Sequence, residues 1–266
     1  MAFANRFRRL LQKRGLLRPD VSERPLQERD GYETVFDDDT MAVLFIPGSK
    51  DNCVVSFTGV GHGLGGMDLQ SPEFSRSGGD ETRIFVIDKR RSWGNGIDWD
   101  RLSDIVEDLA PDAEITTLGN SMGGFLAILS APILGAGTAI AFAPQWSVDP
   151  EIVPEEMRWM QYRREISQIR YPDLSQSCAA DCRIFVFFGD DRDDRLHIEF
   201  FRQQKMDLFV LNGGGHDVAA HLKRNGVLYP LVSACRSGAD VGALLGRDPS
   251  VPPVPHHKVR LQLGTP

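Results

Sequence analysis

The chain has 266 residues and carries 30 Lys and Arg against 37 Asp and Glu, a formal net charge of −7 at pH 7. Its 41% hydrophobic and 25% charged content are those of an ordinary soluble globular protein with ample material for a core. The acidic balance argues against a general nucleic-acid binder, no apolar run reaches the length of a membrane span, and no signal peptide is visible.

Residues 1–29 read as a basic amphipathic segment. Within residues 1–18, Arg6, Arg8, Arg9, Lys13, Arg14 and Arg18 accompany Phe3, Phe7, Leu10 and Leu11 at helical spacing. The expected role is packing on the domain, with weak contact to an acidic membrane surface or a partner as the alternative. Pro19 and Pro25 end it.

Two strands follow around an acidic turn, Tyr32–Phe36 and Met41–Ile46. The runs Cys53–Thr58 and Arg83–Asp88 are continuously apolar enough for strands buried on both faces. Between them lies a glycine-rich stretch, residues 59–66. A helix is expected over about Trp99–Leu109, then strands Ile115–Leu118 and Thr138–Phe142. Residues 147–180 break the alternation, with Pro150, Pro154 and an expected helix over residues 155–166. The rhythm resumes with strand Arg183–Phe188, a helix near 195–204, strand Asp207–Leu211, a helix over Val218–Lys223 and a helical segment beyond Tyr229. Residues 248–266, with Pro252, Pro253 and Pro255, read as a loose tail. Strands alternating with helices predict an α/β domain over residues 30–247. Its expected core is a mostly parallel central sheet covered by helices on both faces, with loops at the carboxyl ends of the strands carrying the site.

The stretch around which the rest is organised is Gly119-Asn120-Ser121-Met122-Gly123, between the strand at 115–118 and an apolar helix beginning near Phe125. Strand, sharp turn and helix form the context in which G-x-S-x-G raises a serine clear of a sheet. The close approach around it demands glycine on either side, and the helix behind directs free N–H groups at the same spot.

A serine hydroxyl needs a base. Of the six histidines, only His62 and His216 lie in loops directly after strands, and His216 follows Asn212-Gly213-Gly214-Gly215 at the end of the last one. A carboxylate must hold the tautomer of that base. The loop Gly189-Asp190-Asp191-Arg192-Asp193-Asp194 supplies four, of which Asp190 and Asp191 lie nearest the strand end and Asp190 is the first choice. Asp194 reads as an N-cap for the helix after it. Two N–H donors should face the developing oxyanion: Met122, directly after the serine, and Val60 in the loop after the strand at 53–58, with Gly61 next.

The G-N-S-M-G elbow, an acid after the next-to-last strand and His216 after the last resemble, in chain order, the α/β-hydrolase superfamily over roughly residues 30–235. Two features depart from that pattern. The oxyanion loop reads Phe57-Thr58-Gly59-Val60-Gly61 rather than beginning His-Gly, and Arg192 stands where a family aspartate is common. The resemblance implies a serine hydrolase working on an ester or thioester through an acyl-enzyme, with no metal or organic cofactor and a small-molecule acyl substrate. It also implies that residues 147–180 act as a partial lid. The alternatives are an acyltransferase that passes the acyl group to a sugar or thiol, and a non-catalytic binding protein of the same fold.

Gly61-x-Gly63-x-x-Gly66 with Asp88 ending the next strand is a weak dinucleotide pattern, which requires a helix to open at the glycines. Cys53, Cys178, Cys182 and Cys235 lack redox or zinc spacing and read as reduced thiols of a cytoplasmic protein.

Overall fold

A computed structural model describes residues 31–64, 67–75 and 79–245. The expected N-terminal amphipathic segment and the proline-rich tail lie outside them. The strands are β1 (Glu33–Asp37), β2 (Met41–Ile46), β3 (Ser49–Phe57), β4 (His62–Leu64), β5 (Met67–Leu69), β6 (Glu81–Asp88), β7 (Glu114–Asn120), β8 (Thr138–Phe142), β9 (Arg183–Phe188) and β10 (Asp207–Val210). Eight form one open sheet in the order β1-β2-β6-β3-β7-β8-β9-β10. β1 and β2 pair antiparallel, β2 meets β6 antiparallel, and every pair from β6 to β10 is parallel. The acidic turn between the first two strands is an Asp38 device. Its Oδ1 accepts from Thr40 N, Thr40 Oγ1 and Met41 N at 2.7, 2.7 and 2.9 Å.

The pleat explains the composition of the strands. Met41 and Val43 of β2 and Ile84 and Val86 of β6 enter the main core. Their neighbours Ala42, Leu44, Phe85 and Ile87 form a second apolar cluster, as the alternation of side chains across a sheet requires. Cys53, Val54, Val55 and Phe57 of β3 are all 0–1% exposed, so this strand is buried from Cys53 onward.

The helices are α1 (Trp99–Leu109), α2 (Met122–Leu134), α3 (Met160–Arg163), α4 (Ser175–Cys178), α5 (Arg195–Phe201), α6 (Val218–Arg224), α7 (Leu228–Ser237) and α8 (Val241–Leu245). α1 buries Trp99, Leu102, Ile105, Val106 and Leu109 and is capped by Asp98, whose side chain accepts from Arg101 N at 3.0 Å. α2 is buried on nearly all sides and ends on Gly135 in the left-handed region. Among the described residues no helix is long and apolar enough to cross a membrane.

Two expectations change. The helix over 155–166 shrinks to the four residues of α3, because Glu156 and Arg158 both point inward. Residues two apart fall on opposite sides of a helix and cannot do this within one, and Trp159 at the start of α3 takes a left-handed φ of 55°. Within the glycine-rich stretch, His62–Leu64 forms β4, which pairs antiparallel with β5 with His62 opposite Leu69, where dinucleotide binding would need a helix N-terminus. Asp88 is fully buried, and its Oδ2 accepts from Ser92 N, Ser92 Oγ and Gly94 N at 2.9, 2.9 and 3.1 Å. It builds a turn rather than facing a ribose.

Candidate active site

Ser121 sits between β7 and α2 at φ 54°, ψ −121°, a strained conformation for a side-chain-bearing residue. A Cβ on Gly119 would lie 2.0 Å from Gly123 O, and one on Gly123 would lie 2.2 Å from Phe57 O. Both positions are therefore closed to every other residue. The turn is pinned by Ser121 N donating to Phe142 O at 2.8 Å and Phe125 N to Ser121 O at 3.0 Å.

His216 arrives from the far side. Gly213, Gly214 and Gly215 all have positive φ and turn the chain leaving β10 into a 3₁₀ turn, Gly215–Asp217. A Cβ on Gly189 would meet Gly215 O at 2.2 Å, so the loops after β9 and β10 touch backbone to backbone. This brings His216 Nε2 to 3.0 Å from Ser121 Oγ.

The carboxylate at the other ring nitrogen is Asp194. Its Oδ2 and Oδ1 lie 2.9 and 3.0 Å from His216 Nδ1, and its side chain is fully buried. A carboxylate only accepts, so Nδ1 carries the hydrogen and Nε2 is free to accept from the serine.

Asp190 and Asp191, the expected acids, stand elsewhere. Asp190 is exposed. Asp191 Oδ1 accepts from Asp193 N at 2.7 Å and its Oδ2 from His216 N at 3.3 Å, so it folds the loop back and ties it to the His216 backbone. That local turn reverses the chain, and the later aspartate reaches the ring while the earlier ones do not. Asp194 does occupy the N-cap position of α5, but its side chain makes no capping bond.

Arg158, a residue sequence reading did not single out, closes the assembly from the segment after β8. Its NH1 donates to Asp194 Oδ1 at 2.8 Å, and its NH2 and Nε pair with Glu156 at 2.6 and 3.0 Å. Its guanidinium lies over the Trp159 ring at 4.6 Å, and that ring stands 5.5 Å from the His216 ring. Glu156 continues the chain of contacts to His197 Nε2 at 2.9 Å, while His197 Nδ1 accepts from Trp146 N at 3.1 Å. Burial works to raise the Asp194 carboxyl, but hydrogen bonds and charge from His216 and Arg158 outweigh it and hold it below the ordinary value. Glu156 behaves alike. Burial opposes its ionisation, yet His197 and Arg158 bring it down to about 2.

The folded-state pKa of Glu156 lies below its unfolded value. Its contribution is therefore full above the unfolded pKa and is lost as pH falls from about 4.5 toward 2. Glu156→Gln is expected to be less stable than wild type at pH 7 by roughly 3 kcal/mol, the size of such a shift at 1.36 kcal/mol per unit. The gap should close toward pH 2. Urea unfolding at pH 7, 4 and 2.5 checks this; a gap independent of pH would mean that the loss is one of packing.

Met122 opens α2, where first-turn N–H groups have no intrahelical partner, and Val60 lies just past β3. In the loop after β3, Thr58 N donates to Val86 O at 3.1 Å and Gly59 N to Glu73 Oε1 at 2.9 Å. Val60 and Gly61 follow directly in the same loop. Glu73 is raised by burial to about 7, against the opposing bond from Gly59.

The other residue that sequence reading missed is Gln145, fully buried after β8, whose Nε2 lies 3.2 Å from Ser121 Oγ. Among the described residues no three or more His, Cys, Asp or Glu side chains are placed to hold a metal ion. All four cysteines are free, and burial lifts the thiols of Cys53, Cys178 and Cys235 to about 12.

An open, mostly parallel sheet with its serine on a strand–turn–helix is the α/β-hydrolase fold, and solved structures bear this out. The capsule O-acetyltransferase of Neisseria meningitidis serogroup A matches with a TM-score of 0.58 over 80% of this chain and 97% of that one, at 14% identity. A thermophilic esterase of the Planctomycetes species Thermogutta terrifontis, Est2 with propionate bound, matches at 0.53 over 81% and 97%, at 18% identity. The esterase Pf2001 of Pyrococcus furiosus matches at 0.54 over 83% and 99%, at 11% identity. At these identities the likeness is one of fold. No family model and no curated protein matches the sequence.

Proposed function

We propose that this protein is a serine hydrolase that cleaves an ester or thioester through an acyl-enzyme on Ser121. The observation that carries the reading is the unbroken chain of hydrogen bonds from Asp194 through His216 to Ser121, at 2.9 and 3.0 Å, on a strained strand–helix turn.

In this mechanism Ser121 Oγ bonds to the acyl carbon as its hydrogen passes to His216 Nε2 and the carbonyl electron pair moves onto oxygen. Met122 N–H and Val60 N–H receive that oxyanion. His216 then returns the proton to the departing alcohol or thiol, and Asp194 stabilises the transient imidazolium. Water activated by His216 releases the acyl group. No step requires a metal or an organic cofactor. The segment 147–180, with Trp159 against His216, serves as a partial lid over the acyl site, and four free cysteines accord with a cytoplasmic location.

A second reading keeps the acyl-enzyme and replaces water by a sugar or thiol acceptor. The fold shared with a capsule O-acetyltransferase that has also been solved with CoA is in keeping with it.

The test is labelling of the wild type by a fluorophosphonate probe with peptide mapping. Turnover of acyl esters and thioesters of graded chain length is then measured with and without sugar or thiol acceptors. Label on Ser121 and release of acid are expected. Acceptor-dependent turnover would select transfer, and an unlabelled Ser121 would remove both readings.

A further inference from the structure

We infer that Gln145 is a catalytic residue: its side-chain amide donates to Ser121 Oγ, turns the serine hydrogen toward His216 and carries negative charge on Oγ as the acyl bond forms and breaks. The inference rests on the reading of Ser121 as nucleophile and adds a residue to it.

The orientation of the amide is set by its other end. Trp93 Nε1 lies 2.9 Å from Gln145 Oε1, and an indole N–H can only donate. The oxygen of the amide must therefore face Trp93 and its NH₂ group must face Ser121 Oγ, 3.2 Å away. Trp93 is itself immobilised. It is fully buried with a φ of 50°, between Ser92 and Gly94, whose N–H groups are both held by Asp88 Oδ2 at 2.9 and 3.1 Å. The donor on Ser121 is thus fixed in place by a buried tryptophan and a buried carboxylate from the turn after β6, while Gln145 itself comes from the end of β8.

This has a consequence at the oxygen. With an N–H donor on one side of Oγ, the hydroxyl cannot give its hydrogen to Gln145, and His216 Nε2 at 3.0 Å is the acceptor in reach. When Oγ attacks, its O–H bond breaks toward His216 while the new C–O bond forms. When the acyl-enzyme is resolved, that C–O bond breaks and its electron pair returns to Oγ, which takes a proton back from His216. Oγ carries partial negative charge in both transition states, and a preorganised N–H lowers the energy of each. A glutamine kept only for packing would need an acceptor for Trp93 and no more. Its second polar end would then be a buried donor without purpose, which is costly unless it has a partner.

The experiment compares Gln145→Glu and Gln145→Met with wild type. Gln145→Glu keeps the volume and the acceptor for Trp93 and, once ionised, presents an acceptor in place of the donor, so it is read across a pH series. Gln145→Met keeps the volume and removes both polar ends. For each, the rate of Ser121 labelling by a fluorophosphonate, kcat and KM for an activated acetate ester, and the unfolding midpoint are measured. We expect labelling and kcat to fall about 10²-fold, as on removal of a preorganised donor, with KM within about threefold because the uniform binding of substrate is untouched. Labelling and kcat within threefold of wild type in a folded variant would overturn the inference. Should neither variant fold, Trp93→Phe keeps Gln145 and Ser121 and removes the indole N–H that fixes the amide; Trp93 also packs on Trp159, so the unfolding midpoint is measured beside the labelling rate. A roughly tenfold slower labelling supports the inference, and an unchanged rate overturns it. A wild type that neither labels nor turns over any ester defeats the reading of Ser121 as nucleophile, and the role of Gln145 falls with it. A reactive wild type with unimpaired Gln145 variants defeats the inference alone.

Discussion

Ser121→Ala is expected to lower turnover of any ester substrate by about 10⁶-fold, the scale seen when an activated serine is removed from a triad that works as a unit. A residue of activity, roughly 10³-fold over water, should remain from the N–H donors and binding alone. The fold should survive. Alanine is no larger than serine and can hold the same backbone through the bonds of Ser121 N to Phe142 O and Phe125 N to Ser121 O. A modest loss of stability is expected even so, about 1 kcal/mol, because the buried Gln145 amide loses its acceptor. Kinetics on an activated ester, beside a melting curve of the same preparation, check both parts. Turnover within tenfold of wild type would mean that another group performs the chemistry.

Asp194→Asn should lower turnover about 10⁴-fold with little change in KM. An asparagine presents an amide in place of an acceptor, and the imidazole then rests in the tautomer that cannot take the serine hydrogen. Asp190→Asn should leave activity nearly unchanged, because that side chain is exposed. Asp191→Asn should fall between them and lose no more than about tenfold. Its carboxylate holds Asp193 N and His216 N rather than the imidazole, and asparagine keeps one acceptor for them. Equal losses in Asp191→Asn and Asp194→Asn would mean that the loop carries two acids of one function.

The elbow is legible because its spacing is a short motif: Gly119 is demanded by a contact within the turn and Gly123 by the approach of Phe57 from the neighbouring strand β3, and no other residue satisfies either. His216 was legible because a run of three glycines before a histidine at a strand end has few other uses. The acid was not. Four aspartates in six residues present the same chemistry, and the selection among them is made by an Asx-type turn at Asp191 that sends the chain back on itself. The helix expected over 155–166 was misread because helical propensity was weighed without Asp194 and His197, whose pull on Arg158 and Glu156 makes the segment irregular.

The alternation of strands and helices, the strained turn carrying Ser121 and the place of His216 after the last strand are written in the amino-acid order. These follow from hydrophobic period, glycine spacing and chain order, all of which act between near neighbours. That Asp194 meets His216, that Arg158 bridges Asp194 and Glu156, and that the Gln145 amide faces Ser121 depend on the folded arrangement. The contacts of Asp194 with His216, Arg158 with Asp194 and Gln145 with Ser121 join residues 22 to 36 positions apart in the chain. Their side chains have several equally good partners until the sheet order and the turns at its carboxyl end bring one of them within hydrogen-bond distance.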